Sequence, residues 1–513
     1  MRARMCFIGA VLLGLAVEQN CNQARAAQLL RGPYLQSPTP ESIRIRWRTD
    51  VATPSYVAFG FQPYDFAFDA SDTNSTTEHE VQLTGLLPGT VYFYSVGSPT
   101  QPLAQGTNCY FTTAPMRGVA SPTRVWVIGD SGGFSFDYGN PAAVRDAYYQ
   151  FAGTRYTDVW LALGDNAYND GLDEEYQQEF FELFPLLLRQ AAPWSTIGNH
   201  DAYATMQLEP VPYLNIFSFP TNGEAGGVAS GTERYYSFDQ ANIHFVCLDA
   251  MTQSRATNGP MANWLRSDLS QNTNLWTIAF WHHPPYSKGS HDSDREIELI
   301  EMRQNIVPIL EQHGVDLVLS GHSHIYERSY LLHGHYGRST NLQPAMILDR
   351  NSGREDETGP YVKATSGTNA HRGCVYAVVG SSASTEPVTG FHPAMFLQLQ
   401  RTGSLVLDIA GNRLEARFLG SNGAIDDHFS IVKEEPESLR ICQLMTQNGK
   451  LVVRCRSVPG QLYQLQRATD LSAPDDWKAV GPPVTALGTT TSWTNNPPLD
   501  GQMVCYRVKR INP

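Results

Sequence analysis

Hydrophobic and polar positions change rhythm twice along the chain, and those changes divide it into three parts. From about residue 28 to 114 the rhythm has period two: Ser42-Ile43-Arg44-Ile45-Arg46-Trp47-Arg48 alternates, as does Val91-Tyr92-Phe93-Tyr94-Ser95-Val96. Successive side chains of a strand face opposite ways, so alternation marks half-buried strands. Turn residues near Pro54 and at Leu87-Pro88-Gly89-Thr90 separate them. A small β-sandwich is expected over 28–116, with 114–122 as a connector.

From about residue 123 the apolar runs become continuous, which is the texture of strands buried on both faces. Runs at 124–128, 158–163, 275–280 and 315–319 alternate with helical stretches at 142–153, 173–188 and 297–313. Strand, loop, helix, strand repeats throughout, so the class is α/β, with functional loops at the carboxyl ends of strands. Return strands near 235–247 and 375–380 imply a mixed sheet assembly, and 405–418 reads as a hairpin turned at Gly411-Asn412. The stretch 334–373 is rich in Gly, Ser, Asn and charge and is expected as long surface loops. Beyond Glu434-Glu435-Pro436-Glu437, short β-runs at 451–455, 462–467 and 504–509 make a third, β-rich unit. The expected boundaries are 28–116, 120–434 and 437–513.

Composition narrows the function. A chain of 513 residues exceeds a single hydrophobic core. Hydrophobic residues at 42% and charged residues at 17% describe a folded protein, not a disordered one. A formal charge of -13 excludes the basic footprint of a nucleic-acid binder. It leaves a phosphate substrate open, because bound cations would dominate the local field. Residues 1–27 read as an export signal: Arg2 and Arg4 precede an apolar run at 7–17, and Ala24-Arg25-Ala26 offers a cleavage site. That run is too short to span a bilayer, and no later run is long enough. The expected location is therefore secreted or periplasmic. Of eight cysteines, Cys6 and Cys21 would leave with the signal, and Cys442, Cys455 and Cys505 are a source for one local pair.

The chemistry lies in five short motifs: Gly129-Asp130-Ser131-Gly132, Gly164-Asp165-Asn166-Ala167-Tyr168, Gly198-Asn199-His200-Asp201, Trp281-His282-His283-Pro284 and Gly321-His322-Ser323-His324. Most follow an apolar run. A lone Asp after a strand caps a helix or makes an Asx turn. Two of them, followed by two histidine motifs on similar strands, make a shared ligand cluster the better reading. One carboxylate can bridge two ions, as is needed to hold them about 3.5–4 Å apart. His322 and His324 could reach separate ions from a tight turn. His282 and His283 are adjacent and face opposite ways, so one is a ligand and the other structural. Asn199 offers an amide oxygen, which leaves His200 toward the substrate side.

These motifs resemble the metallophosphoesterase (calcineurin-like phosphoesterase) superfamily, and Tyr168 in Gly-Asp-x-x-Tyr narrows the resemblance to the purple acid phosphatases. The resemblance covers 125–330. It implies a four-layer α/β/β/α sandwich and a binuclear centre of Fe3+ with a divalent ion (Fe2+, Zn2+ or Mn2+). By that resemblance Asp130, Asp165, Tyr168 and His324 hold the ferric ion, while Asp165, Asn199, His282 and His322 hold the divalent one. His200 and His291 are the implied substrate-side histidines, joining the bridging Asp165 in catalysis. Arg31-Gly32-Pro33-Tyr34-Leu35-Gln36 and the Trp47 strand resemble the fibronectin-like module that precedes the catalytic domain in plant-type members. The implied reaction is hydrolysis of a small phosphate monoester by a metal-bound hydroxide. A phosphodiesterase or nucleotide pyrophosphatase would use the same ions on a nucleotide substrate, and a non-catalytic binding protein would need only the β-modules. Oligomeric state is not readable from these residues.

Overall fold

In the central part of the chain, odd and even residues of single strands belong to different cores. Phe245 and Cys247, Ile278 and Phe280, Leu317 and Leu319 all join one buried cluster. Their neighbours Val246, Ala279 and Val318 join another, with the helix residues Met261, Leu265, Ile309 and Leu310. A sheet built of such strands must pack on a second sheet with one face and on helices with the other. The computed structural model of the protein shows this arrangement, and describes residues 26–133, 139–203, 212–434, 441–457, 462–469, 477–488, 490–496 and 504–511. The expected export signal falls on residues that lie outside this description, apart from its last two positions.

Two sheets of seven strands form the centre. The first runs Tyr236–Gln240, Ile243–Cys247, Trp276–Phe280, Leu317–Ser320, Val375–Val379, Tyr326–Ser329, Met395–Leu399. The second runs Tyr361–Lys363, Ile425–Lys433, Arg413–Gly420, Gly403–Ala410, Thr123–Ile128, Val159–Ala162, Pro193–Ser195. Within the first, Ile243–Cys247, Trp276–Phe280, Leu317–Ser320 and Val375–Val379 are parallel. Within the second, Thr123–Ile128, Val159–Ala162 and Pro193–Ser195 are parallel. Helices Pro260–Gln271 and Val307–Gln312 cover the outer face of the first sheet. Helix Pro141–Ala152 covers the second, where Tyr148 stacks on Trp126 with ring centroids 4.3 Å apart. The result is a four-layer α/β/β/α sandwich.

Some expectations were too regular. The stretch 173–188 breaks into Asp173–Tyr176, a wider turn over Gln177–Phe181 and Pro185–Leu188. Pro185 cannot continue a helix, and Phe180, Phe181 and Phe184 are all drawn into the core beneath Trp160. The helical stretch at 297–313 is likewise interrupted by a wide turn over Met302–Ile306 before Pro308. The loop region 334–373 contains a short strand, Tyr361–Lys363, at the edge of the second sheet. Three residues are too few to show a rhythm, yet Tyr361 and Lys363 are buried and Val362 is not. Lys363 Nζ meets the buried Asp316 carboxylate at 2.6 Å, which offsets the cost of burying its charge.

The amino-terminal part is a single bent sheet around its own core, with Trp47 stacked on His79. Pro54 makes no turn. It lies within the strand Ser42–Gly60, where the pairing with Phe68–Thr84 shifts register between Arg48 and Ser55. A register shift leaves an N–H unpaired, which is where a strand tolerates proline. This part is keyed to the centre: Arg31 and Arg48 both grip Asp173, and Tyr34 Oη donates to the Ile216 carbonyl at 2.8 Å. The carboxyl-terminal part has two small sheets around Val453, Cys455, Tyr463, Leu465 and Trp493. The local pair expected among Cys442, Cys455 and Cys505 stays an expectation, because the Cys442 side chain lies outside the described residues. No helix among the described residues is long and apolar enough to cross a membrane.

Candidate metal centre

The parallel strands of both sheets deliver their carboxyl ends to one place. From the second sheet, Thr123–Ile128 leads to Asp130, Val159–Ala162 to Asp165 and Tyr168, and Pro193–Ser195 to Asn199 and His200. From the first, Trp276–Phe280 leads to His282, and Leu317–Ser320 to His322 and His324. Asp130, Asp165 and His322 all adopt left-handed backbone, with φ of 54°, 51° and 68°. Non-glycine residues pay a steric cost there, and such strain concentrates at functional turns. The turns also interlock closely. A Cβ on Gly198 would lie 2.1 Å from Asp165 Oδ1, and one on Gly321 would lie 2.4 Å from Asp130 Oδ2.

Two donor sets result, sharing one atom. Tyr168 Oη lies 3.4 Å from Asp130 Oδ1, 3.2 Å from Asp165 Oδ2 and 3.4 Å from His324 Nε2. His282 Nε2 lies 3.2 Å from the same Asp165 Oδ2 and 3.0 Å from Asn199 Oδ1. Asn199 Oδ1 is in turn 2.9 Å from His322 Nδ1. Donors held roughly 2.0–2.2 Å from one ion sit about 3.0–3.4 Å apart around it, so these separations are coordination-polyhedron edges.

Proton bookkeeping shows that the sets fit cations. His282 Nδ1 is 2.8 Å from the Leu163 carbonyl, which can only accept, so this nitrogen carries hydrogen. In the neutral ring Nε2 then turns a lone pair toward Asp165 and Asn199, which are also acceptors. His322 repeats the pattern: Nε2 donates to Glu296 at 3.0 Å, leaving Nδ1 bare toward Asn199. Acceptors converge where only a positive charge relieves them. A proton can take that place. Burial disfavours charging His282, but Asp165 and Asp130 outweigh it and push the imidazole to about 9. His324, against the same burial, is raised to about 10 by Asp130 and Glu386. Burial, with the Asp165 and Asp130 carboxylates, pushes the Tyr168 phenol well above its ordinary value, so its phenolate form demands a cation beside it.

Each predicted site residue reaches this cluster. His200 sends its backbone N–H to Asp165 Oδ1 at 2.8 Å, and its ring lies 4.2 Å from that of Tyr168. His291 stands 3.8 Å, ring to ring, from His322 and meets Glu296 at 2.9 Å. His283 is buried behind His322, and burial drives its pKa far down, so it stays neutral and structural. The supporting carboxylates were not foreseen. Asp201 accepts the backbone N–H groups of Asp165, Asn166 and Gly198. Glu179 accepts those of Gly133 and Tyr168, and Glu296 joins His291 to His322. Asp201 stood in the third motif, directly after His200. Glu179 and Glu296 sit in ordinary charged stretches that carry no signal.

A phosphoesterase fold holding a paired-cation site is the class these features define. The calcineurin-like phosphoesterase model matches residues 123–326, and the model of the purple acid phosphatase N-terminal domain matches 32–113. Purple acid phosphatase 15 of Arabidopsis thaliana is 30% identical over 273 residues, covering 49% of this chain and 49% of that protein. Acid phosphatase type 7 of Homo sapiens is 28% identical over 399 residues, covering 69% of this chain and 85% of that protein. The structure of the purple acid phosphatase PPD1 from yellow lupin seeds shares the fold, with a TM-score of 0.60 at 16% identity over 80% of this chain and 75% of that one. The chain belongs to the purple acid phosphatase family of the metallophosphoesterase superfamily. It spans about half the length of the first of these relatives.

Proposed function

We propose that the protein is a binuclear metallohydrolase that cleaves phosphate monoesters. The observation that carries this reading is the sharing of Asp165 Oδ2 between the Tyr168 set and the His282 set, 3.2 Å from each. Asp130, Asp165, Tyr168 and His324 would hold Fe3+, whose hardness suits carboxylate and phenolate. Asp165, Asn199, His282 and His322 would hold the divalent ion. When bound, the ions supply Lewis acidity toward phosphoryl oxygens and lower the pKa of a water near them.

The chain's own residues do the rest. His200 is fixed by its Nδ1 contact to the Asn169 carbonyl at 2.7 Å, and His291 by Glu296. His200, beside Tyr168, and His291, beside His322, would hold the phosphoryl oxygens and deliver a proton to the departing oxygen. Water adds to phosphorus, the ester P–O bond breaks, and alcohol and inorganic phosphate leave without a covalent enzyme intermediate. The test is metal analysis and a visible spectrum of purified protein, together with hydrolysis of a phosphomonoester and a phosphodiester. Two ions, a tyrosinate–iron band and faster monoester cleavage are expected. A colourless protein, or one that cleaves only the diester, contradicts the reading.

A further inference from the structure

We infer that the phosphoester taken by this centre carries a flat apolar leaving group, which stacks on Tyr203. The inference rests on the proposed hydrolytic reading. Tyr203 closes the short turn of helix Asn199–Tyr203, and its ring stands edge-on to His200 at 4.9 Å. Its hydroxyl lies 3.4 Å from Asn199 Nδ2, so the ring is anchored to two site residues while the residue as a whole remains 36% exposed. Two further exposed apolar residues lie close in sequence to residues of the cluster. Ile297, 53% exposed, directly follows Glu296, the partner of His291 and His322. Val388, 43% exposed, lies two residues after Glu386, whose carboxylate is 3.4 Å from His324 Nδ1. The following residues are pinned near the His291 loop, Thr389 N–H to the Gly289 carbonyl at 2.7 Å and Gly390 N–H to the Lys288 carbonyl at 2.9 Å.

Single exposed apolar side chains are ordinary. Here Tyr203 also touches two residues of the charged cluster, His200 and Asn199. The polar cluster would fix the phosphoryl group, and the exposed ring of Tyr203 beside it is what a hydrophobic ester group would cover. An aromatic leaving group gains ring contact with Tyr203 that glycerol cannot.

The experiment uses the full metal-loaded chain. Hydrolysis of phenyl phosphate and of glycerol phosphate is measured for wild type, Tyr203→Ala and Tyr203→Phe, alongside calorimetric binding of phenylphosphonate and methylphosphonate. In Tyr203→Ala the phenyl-over-glycerol preference in kcat/KM should fall about tenfold, through KM, with a matching loss of phenylphosphonate affinity. Tyr203→Phe should keep the preference. Equal losses on both esters, or a Phe variant as impaired as Ala, would overturn the inference and leave Tyr203 as a support for Asn199. If wild type cleaves neither ester, the hydrolytic reading fails. The phosphonates then decide alone, and equal affinity for the two sinks the stacking role.

Discussion

Asp201 accepts the backbone N–H of Asp165 at 2.8 Å, and so a carboxylate outside both donor sets fixes the turn that joins them. It also takes the N–H groups of Asn166 and Gly198 and the hydroxyl of Tyr176. Burial and the nearby Asp165 charge raise its pKa, and those donors keep it an acceptor. Asp201→Asn would place an NH2 among groups that all donate. A stability loss of about 2–4 kcal/mol is expected, with reduced metal content. Denaturant titration and metal analysis measure the two effects, and a variant with wild-type values in both would remove this role.

Tyr168 is the sole phenol within the donor sets. Tyr168→Phe should abolish the visible band while the chain stays folded, and Asp165→Ala should lose both ions because its Oδ2 belongs to both sets. Metal stoichiometry separates the cases. Two ions retained after Asp165→Ala would end the bridging assignment.

Glu296 fixes the tautomer of His322 from outside the cluster, at 3.0 Å. Partners of this kind commonly contribute a 10–100-fold factor to metal affinity, by order of magnitude roughly that range here. Glu296→Ala should weaken one ion by that factor in a chelator competition and leave the other in place. Glu296→Gln, which can still accept through its amide oxygen, should recover part of the loss. Uniform weakening of both ions argues against the assignment.

Far from the centre, His244 lies between Asp239 at 2.7 Å and Asp268 at 2.8 Å. Burial opposes its charge, but the two carboxylates win and raise it to about 9 from an ordinary 6.5. A raised folded-state pKa stabilises the fold fully below the unfolded value and progressively less as pH rises through the folded one. The contribution should therefore be largest below about pH 6.5 and gone above about pH 9, amounting to roughly 3 kcal/mol. Urea midpoints of wild type and Asp268→Asn across that range read it. Asp268 also accepts from Val228 N–H and Ser237 Oγ, so part of the gap between the two curves is constant. The gap should narrow as pH rises, and parallel curves would contradict the linkage.

The sequence made the strands that carry the ligands legible because each is a continuous apolar run ending in a glycine or a polar turn. Asp130, Asp165, Asn199, His282 and His322 could be named because residues at strand ends stay near their neighbours wherever the sheets lie. What periodicity hid was sheet membership and support. Nothing local says that the run ending at Phe280 belongs to a different sheet from the run ending at Ile128. Glu179 and Glu296 reach the turns from helical or loop stretches whose charge looks like solvated surface. Pro54 and Tyr361–Lys363 escaped for a related reason: a register shift and a three-residue edge strand are decided by the partner strand.

Both donor sets straddle the two central sheets. The Tyr168 set takes His324 from the first sheet, and the His282 set takes Asp165 and Asn199 from the second. Neither sheet owns a complete binding site. Bound ions would therefore act as rivets through a seam, and a half-folded chain would have nowhere to load them. Affinity for metal thus reports how firmly the layers are pressed together, and a cavity-forming change deep between the sheets, remote from every ligand, would be felt first as a leak of metal.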